Sequence, residues 1–431
     1  MRIAFYTLGC KVNQYETQLL KEHFSSLGYV ECDVEEKADV YIVNSCTVTL
    51  AANKKSRQVI HRFRRINPDA IIALIGCFPQ AFANEAELIK EADIISGTKD
   101  KLSISNLIDE FMQNGERIVR ITPHKPQEKF ENTTSTAHEE KTRAFVKIED
   151  GCERYCAYCI IPKARGNVRS KPIDSIVEEV KILAEKGYKE VVLVGINLAM
   201  YGVDLGLRLV DAVKAVCKVE GIERVRLGSS EPMLVTIDDF VQMAEYKNVC
   251  PHFHIALQSG SDAVLKRMKR PYNTEQYKNI IDAVRENFDN PAITTDIIVG
   301  FPDETDEEFN QTIDFVKKLN LAMAHIFPYS RREGTVAYDM PNQVPESVKT
   351  KRAKILHEVC EELRKNYLKS QIGTKALVLF ENTTNEYGRM GHTPNYTQVY
   401  VKNEIAKRGE IKQVLITDVV EEFCIGEIIE N

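Results

Sequence analysis

In residues 1–122, short apolar runs alternate with longer stretches whose apolar residues recur every three or four positions. The apolar runs predict strands, and the amphipathic stretches predict helices. The strands are expected at Arg2–Leu8, Asp39–Val43 and Ala70–Ile75, and the helices at Gln14–Leu27, Ala51–Ile66 and Asp100–Met112. Apolar strands separated by helices are typical of a parallel sheet covered on both faces. We therefore expect an N-terminal open parallel α/β domain over residues 1–122.

The alternation resumes with a longer period over residues 142–370. Strands are expected at Phe145–Ile148, Glu190–Val194, Arg224–Leu227, His254–Gln258, Thr294–Val299 and His325–Pro328. Helices are expected at Ile173–Lys186, Leu207–Val219, Ile237–Glu245, Thr274–Asn287 and Asp306–Leu319, with a last amphipathic helix at Leu356–Lys369. Six strands with five intervening helices predict a partial (β/α)6 barrel. The polar stretch Pro123–Lys141 is poor in aliphatic residues and is interpreted as an interdomain linker.

Residues 372–431 follow a different pattern of short strands separated by turn residues. The strands are expected at Lys375–Leu379, Thr397–Val401, Gly409–Ile416 and Cys424–Ile429. This pattern predicts a small antiparallel β-barrel at the C-terminal end.

Composition narrows the class of protein. Of the 431 residues, 43% are hydrophobic and 28% charged, which is typical of a globular protein. There is no charged-then-apolar leader at Met1 and no apolar run near ~18 residues, so we expect a cytoplasmic protein without a membrane span. In that compartment the eleven cysteines are expected to be reduced, and those that cluster are explained better by metal or cluster ligation than by disulfides.

The net charge of −6 argues against indiscriminate nucleic-acid binding but allows a local basic face. Lys54–Arg65 carries six Lys or Arg residues and His61 on one predicted helix. This helix is either a solvated surface or a binding site for phosphates.

Three cysteines with C-x3-C-x2-C spacing lie between Gly151 and Gly166; we call Cys152, Cys156 and Cys159 the loop triad. A zinc site would need a fourth Cys or His in similar spacing, and none lies nearby in the sequence. An iron-sulfur cluster held by three thiolates would instead keep one iron open for a substrate or cofactor. The alternative is three thiols that merely share a loop.

A second set of cysteines follows the ends of the three predicted N-terminal strands; we call Cys10, Cys46 and Cys77 the N-terminal triad. The carboxyl edge of an open parallel sheet is where ligands bind. We therefore expect these thiols to meet and hold a second cluster, with unrelated thiols as the alternative. Cys32 lacks this placement and is interpreted as a packed thiol.

The loop GCERYCAYCIIPKARG, placed between a strand and a helix, resembles the signature of radical S-adenosylmethionine (SAM) enzymes. The runs VVLVGINLAMYG, RLGSSEP, HIALQSGSDAVLKRMKRPY, TDIIVGFPDET and FPYSRREGT resemble, more narrowly, the methylthiotransferases of that superfamily. The resemblance implies two 4Fe-4S clusters, one on each triad, with SAM cleaved at the loop triad. It also implies that the other cluster carries sulfur, which a second SAM methylates.

In this family the turns after the barrel strands contact SAM. The resemblance thus implies SAM contacts at Asn197, Ser229, Glu231, Gln258 and Ser259, although polar residues also cap strand ends for structural reasons alone. Ile160 and Ile161 either face the adenine of SAM or pack in the core; we assign Ile161 to the cofactor site.

The N-terminal run TLGCKVNQYET resembles the subgroup that modifies N6-threonylcarbamoyladenosine at position 37 of tRNA. Related enzymes act on isopentenyladenosine in tRNA or on an aspartate of a ribosomal protein. A different class, an RNA-binding iron-sulfur sensor, would not require the SAM-site turns. The expected partners of a monomeric enzyme are the tRNA anticodon stem-loop, a sulfur donor and an electron donor such as a flavodoxin or ferredoxin.

The C-terminal barrel resembles the TRAM domain, an RNA-binding module of tRNA-modifying enzymes. The stacking and cationic residues that an RNA-binding face would use are Tyr387, Arg389, His392, Tyr396, Lys402, Lys407 and Arg408. An ordinary polar barrel surface is the alternative.

Overall fold

The N-terminal part of the chain is a parallel sheet, as the pattern predicted, and it has six strands. The computed structural model describes residues 1–135, 142–402 and 406–429. In spatial order the strands are Val30–Glu31, Arg2–Thr7, Val40–Ser45, Ile71–Gly76, Ile94–Ser96 and Ile118–Arg120. The helices are Lys11–Ser26, Leu50–Ile66, Cys77–Ala81, Ala83–Glu87 and Ile104–Asn114. The last two strands were not predicted, because three residues are too few to show a period.

The two central strands of this sheet, Val40–Ser45 and Ile71–Gly76, are buried over their whole length. Tyr41 and Val43 belong to one hydrophobic core, whereas Val40 and Ile42 belong to another. Successive side chains of a strand point to opposite faces, so the sheet separates two cores. This explains why its strands are apolar throughout.

The middle of the chain forms the predicted six-stranded partial barrel with parallel strands. One side contains Ala144–Lys147, Glu190–Val194 and Arg224–Leu227, and the chain continues past Gly228 into the other side, which contains Ser229–Ser230, His252–Ile255, Ala292–Val299 and Met323–Pro328. The helices are Ile161–Arg165, Ile173–Glu185, Leu209–Cys217, Ile237–Ala244, Asp262–Arg267, Thr274–Asn287, Asp306–Leu319 and Glu346–Ser370. The loop triad follows the first strand, at the carboxyl end of the barrel.

The C-terminal barrel is closed and has five strands. They are Lys375–Asn385, Gly388–His392, Gln398–Val401, Ile411–Val420 and Phe423–Ile428. The strand Gly388–His392 was missed because its two glycines obscure a strand pattern. One pair, Gln398–Val401 with Phe423–Ile428, is parallel, so the barrel is not wholly antiparallel.

The predicted linker packs against both of its neighbours as far as it is described. The backbone N–H of Ser135 donates to Glu179 of the barrel at 3.1 Å, and its hydroxyl donates to Glu22 of the N-terminal part at 2.6 Å. Ser135 is fully buried. The segment up to Ser135 is therefore a structural joint rather than a loose spacer, and residues 136–141 lie outside the described part. The domain bounds 1–122, 142–370 and 372–431 stay a prediction.

Among the described residues, no helix is both long enough and apolar enough to cross a membrane.

Candidate functional site

The loop triad is gathered in one tight loop. Cys152 and Cys156 are buried, and Cys159 is half-buried. Burial, followed by the neighbouring Cys156 and Cys152 thiols, raises the pKa of Cys159 to about 12. Gly151 begins the loop with a φ of +88°, and a Cβ there would lie 1.9 Å from the backbone oxygen of Asn167. Only glycine can therefore turn the chain from the barrel strand into the cysteine loop.

Polar groups from other barrel strands reach the sulfur atoms of this loop. The Arg270 guanidinium donates to Cys156 Sγ at 3.0 Å, and the Asn197 amide lies 3.7 Å from Cys152 Sγ. Donors aimed at sulfur favour the thiolate, which is the form that binds iron. Arg270 was not predicted, although it lies inside the run HIALQSGSDAVLKRMKRPY on which the family resemblance rests.

Glu231 is the centre of a hydrogen-bond group beside the loop triad. Asn197 donates to Glu231 at 2.8 Å, and Arg154 donates to it at 2.9 Å. Arg270 lies 3.3 Å from the same carboxylate. Two of the predicted SAM contacts, Asn197 and Glu231, are thus brought together at the loop cysteines; their role toward SAM stays a prediction.

The remaining predicted SAM residues are placed differently from one another. Ser229 is exposed, and Gln258 is buried with a φ of +67°. The Ser259 hydroxyl is fully buried and lies 3.3 Å from the Thr312 hydroxyl, so it is already used to hold its own loop.

Ile160 and Ile161 have separate surroundings. Ile160 is 3% exposed and belongs to the core of the N-terminal part. Ile161 packs beside Cys152 and Met200 at the loop triad. Core packing is therefore the role of Ile160, while Ile161 lies at the site.

The N-terminal triad also converges, although its members are far apart in sequence. Burial, followed by the Cys77 thiol and more weakly by Cys10, raises the pKa of Cys46 to about 12. Gly9, with φ +103°, lies against Cys46, because a Cβ at Gly9 would be 2.7 Å from Cys46 Cβ. Cys10 is exposed, whereas Cys46 and Cys77 are buried. The strand ends bring the three thiols to one edge of the sheet.

Arg165 joins the two triads. It ends the short helix that follows the loop triad, and its Nε donates to Cys77 Sγ of the N-terminal triad at 3.2 Å. Its other nitrogens bind Glu16 at 2.5 Å and Asn13 at 2.6 Å. The side chain is completely buried. Although burial alone would raise it, Arg165 with Lys101 and Lys147 holds the pKa of Glu16 below its usual range.

A second buried guanidinium, that of Arg332, lies near the N-terminal triad. It is 1% exposed and donates to Thr47 Oγ1, one residue after Cys46, at 2.8 Å. Its Nε has no hydrogen-bond partner among the described residues. Two buried cations beside the triad would offset the charge of its thiolates.

The spacing of the thiols fits a cluster better than a single metal ion. A zinc ion with Zn–S bonds of about 2.3 Å holds its sulfurs at most about 4.6 Å apart. Within the described part of the chain, which includes all the cysteines, the one group of three ligating atoms within 4.8 Å of one another is His254, Asp296 and His325. Neither triad is that compact. Each has three thiols and a guanidinium that donates to one of them, Arg270 to Cys156 and Arg165 to Cys77, which suits a larger iron-sulfur cluster.

A group of three polar side chains lies on neighbouring strands of the barrel, which the sequence analysis did not predict. His254, Asp296 and His325 lie on three neighbouring strands, and His254 is 3.2 Å from the Asp296 carboxylate. The alternation of residues along these strands could have predicted this group, because every second residue of a barrel strand faces the same side.

A cavity of about 290 Å³ lies where the three parts of the chain meet. Its lining includes Lys11, Arg143, Arg226, Glu381 and Tyr396. Lys11 directly follows Cys10, so the cavity begins beside the N-terminal triad. Its lining combines these charged groups with apolar side chains such as Phe145 and Val192.

Two of the predicted RNA-binding residues, His392 and Tyr396, lie instead at the contact between the two barrels. Their rings stack with centroids 4.7 Å apart, and the Arg226 guanidinium lies 4.7 Å from the Tyr396 ring. Tyr387 packs on Phe423. The exposed cations of the predicted set are Lys402, Lys407 and Arg408. The sequence could not assign these roles because they depend on how the barrels pack.

The arginines of the basic helix Leu50–Ile66 pair mainly with carboxylates of the N-terminal part. Arg57 pairs with Glu85, Arg62 with Glu35, and Arg64 with Asp93. This favours the solvated-surface interpretation over a phosphate site.

Two parts of the chain match families of known proteins. Residues 146–316 match the radical SAM superfamily, and residues 2–97 match the family described as uncharacterized protein family UPF0004. The chain is similar to the threonylcarbamoyladenosine tRNA methylthiotransferase MtaB of Aquifex aeolicus, with 37% identity over 96% of this chain and 100% of that one. It is also similar to the tRNA-2-methylthio-N(6)-dimethylallyladenosine synthase of Clostridium tetani, with 36% identity over 98% and 95% of the two chains. In fold it resembles the radical SAM methyltransferase TsrM of Kitasatospora setae, with a TM-score of 0.60, 12% identity, and coverage of 78% and 73%.

Proposed function

The chain belongs to the radical SAM tRNA methylthiotransferases, and from that premise we propose that it methylthiolates carbon 2 of N6-threonylcarbamoyladenosine at position 37 of tRNA. The observation that carries this choice is the cavity lined by Lys11, Arg143 and Arg226. A threonylcarbamoyl group is polar and anionic, whereas a dimethylallyl group needs an apolar pocket. Lys11 has no hydrogen-bond or ion-pair partner among the described residues, so this cation would favour the anionic group over the apolar one.

Each cysteine triad would hold one 4Fe-4S cluster. A cluster on the loop triad would supply the electron for cleavage of SAM, and one on the N-terminal triad would supply an open iron that could hold sulfur. The second cluster is part of the proposal, supported by the convergence of Cys10, Cys46 and Cys77 and by the buried Arg165 beside them.

The protein's own groups would orient SAM at the loop triad. The Glu231 carboxylate suits the positively charged amino or sulfonium group of SAM, and the Asn197 amide holds that carboxylate in place. Arg154, which also binds Glu231, suits the carboxylate of SAM. Ile161 supplies an apolar surface beside Cys152 for the adenine.

The overall reaction replaces a C–H bond by a C–S–CH3 group. The hydrogen leaves carbon 2 with 5'-deoxyadenosine, the sulfur comes from a donor, and the methyl group comes from a second SAM. The reaction therefore needs a sulfur donor and an electron donor such as a flavodoxin or ferredoxin. We propose that the enzyme works as a monomer in the cytoplasm, where tRNA is available.

The C-terminal barrel would hold the tRNA. Its exposed Lys402, Lys407 and Arg408 suit the phosphates of the anticodon stem-loop.

The test is turnover by the reconstituted enzyme on three anticodon stem-loops that carry threonylcarbamoyladenosine, isopentenyladenosine or plain adenosine. We expect methylthiolated product, measured by nucleoside mass spectrometry, from the first alone. Equal turnover of the first two, or activity only on a ribosomal protein, would overturn the substrate. Absence of any product together with cluster-dependent RNA binding would favour an iron-sulfur sensor.

A further inference from the structure

Lys11 differs from the other cations around the central cavity. Arg226 is paired with Glu190 at 2.7 Å, and Arg143 is paired with Glu381 at 2.5 Å. Lys11 forms no hydrogen bond or ion pair with any residue that the structure describes, and its side chain is exposed toward the cavity. It is the cation there that is available to a ligand.

The position of Lys11 relative to the N-terminal triad is set by the chain itself. Lys11 follows Cys10 directly, so their Cα atoms are about 3.8 Å apart. Lys11 is also the first residue of a 16-residue helix whose first turn carries no acidic residue. The N-terminus of that helix adds to the positive potential around the ammonium group.

The chemistry of the substrate places its anionic group near this position. In adenine a single ring atom, N1, separates C2 from C6, the carbon that bears the N6 substituent. If C2 is presented to sulfur at the N-terminal triad, the threonylcarbamoyl group must extend beside the same triad. Its carboxylate lies a few bonds beyond N6.

We propose that Lys11 binds the carboxylate of the threonylcarbamoyl group and thereby selects the substrate. This inference rests on the proposed function and adds the residue that recognises the threonylcarbamoyl group. Lys11 is a specificity residue that touches substrate, and it lies in the run TLGCKVNQYET that suggested the subgroup. Arg332 is a weaker candidate because it is 1% exposed behind Thr47.

The direct test is binding of labelled stem-loops to the reconstituted enzyme, followed by fluorescence anisotropy. Three probes are compared: threonylcarbamoyladenosine, its methyl ester, which lacks the negative charge, and unmodified adenosine. The wild type should bind the acid about 10- to 100-fold more tightly than the ester, as expected for one charge-assisted contact. Lys11→Met should bind both probes equally, and Lys11→Arg should retain a preference for the acid.

Lys21→Met is the matched control. Lys21 lies on the same helix but pairs with Glu31 at the surface, so this variant should keep the full preference. Iron content after anaerobic reconstitution should be the same for Lys11→Met and Lys21→Met, which shows that the test variant is folded and loaded.

The outcomes separate the two claims. If the wild type modifies threonylcarbamoyladenosine but Lys11→Met still prefers the acid over the ester, the function stands and the role of Lys11 is wrong. If the wild type makes no product from that stem-loop, the proposed function fails, and the role of Lys11 fails with it.

Discussion

Adding a single methyl group at Gly9 should damage the N-terminal triad specifically. A Cβ at Gly9 would lie 2.7 Å from Cys46 Cβ and 2.9 Å from Cys46 Sγ, both shorter than any normal contact. In Gly9→Ala, Cys46 must therefore move away from Cys10 and Cys77. We expect iron to fall from about eight to about four atoms per chain, because the loop triad is untouched.

Gly28→Ala separates this clash from the cost of backbone strain. Both glycines have positive φ, +103° at Gly9 and +83° at Gly28, but a Cβ at Gly28 would meet nothing within 4 Å. The left-handed conformation should cost each variant about 1–2 kcal/mol. Overpacking against Cys46 should cost Gly9→Ala about 1–3 kcal/mol more.

The assays are iron content after anaerobic reconstitution and the free energy of unfolding of the cluster-free protein in urea. Gly28→Ala should retain full iron. If Gly9→Ala also bound about eight iron atoms, or lost no more stability than Gly28→Ala, the prediction that a Cβ at Gly9 displaces Cys46 would be refuted.

Three further predictions follow from the described contacts. Arg165→Met should lower the free energy of unfolding by about 3–5 kcal/mol, since it strands buried carboxylates, whereas Arg120→Met, which removes an exposed pair, should leave that free energy almost unchanged; equal losses in urea titrations would contradict this. Burial, then Arg226 and Lys11, lowers the pKa of His252, so its contribution to stability is present above about pH 6.5 and is lost as the pH falls. Below that pH the wild type should lose up to about 1.4 kcal/mol per pH unit relative to His252→Phe, and parallel urea curves would argue against it. Replacing the N-terminal triad by Ala should leave 5'-deoxyadenosine formation intact but abolish methylthiolation, whereas replacing the loop triad should abolish both; substantial product from the first variant, measured by mass spectrometry, would exclude the sulfur-carrying role.

The sequence by itself determined the fold class and the family. Hydrophobic periodicity predicted the parallel sheet, the six-stranded barrel and the existence of a terminal barrel, because burial of one face imposes a period on every strand and helix. The family predicted from the cysteine spacing and the barrel motifs is confirmed by the full-length relatives. The sequence predicted that the N-terminal triad converges, because parallel strands end at one edge of a sheet. In the structure the three thiols lie at that edge.

Only the tertiary structure decided which partner each polar side chain takes. Arg165 follows one triad in the sequence yet binds Cys77 of the other, 88 positions away. His392 and Tyr396 were expected to face RNA but are packed against the barrel, while Lys11, one cation among many in the sequence, is left without a described partner in a cavity. A side chain's charge and shape are local properties, but its pairing depends on which surfaces fold against it. Periodicity reports burial along one element and carries no information about contacts between elements.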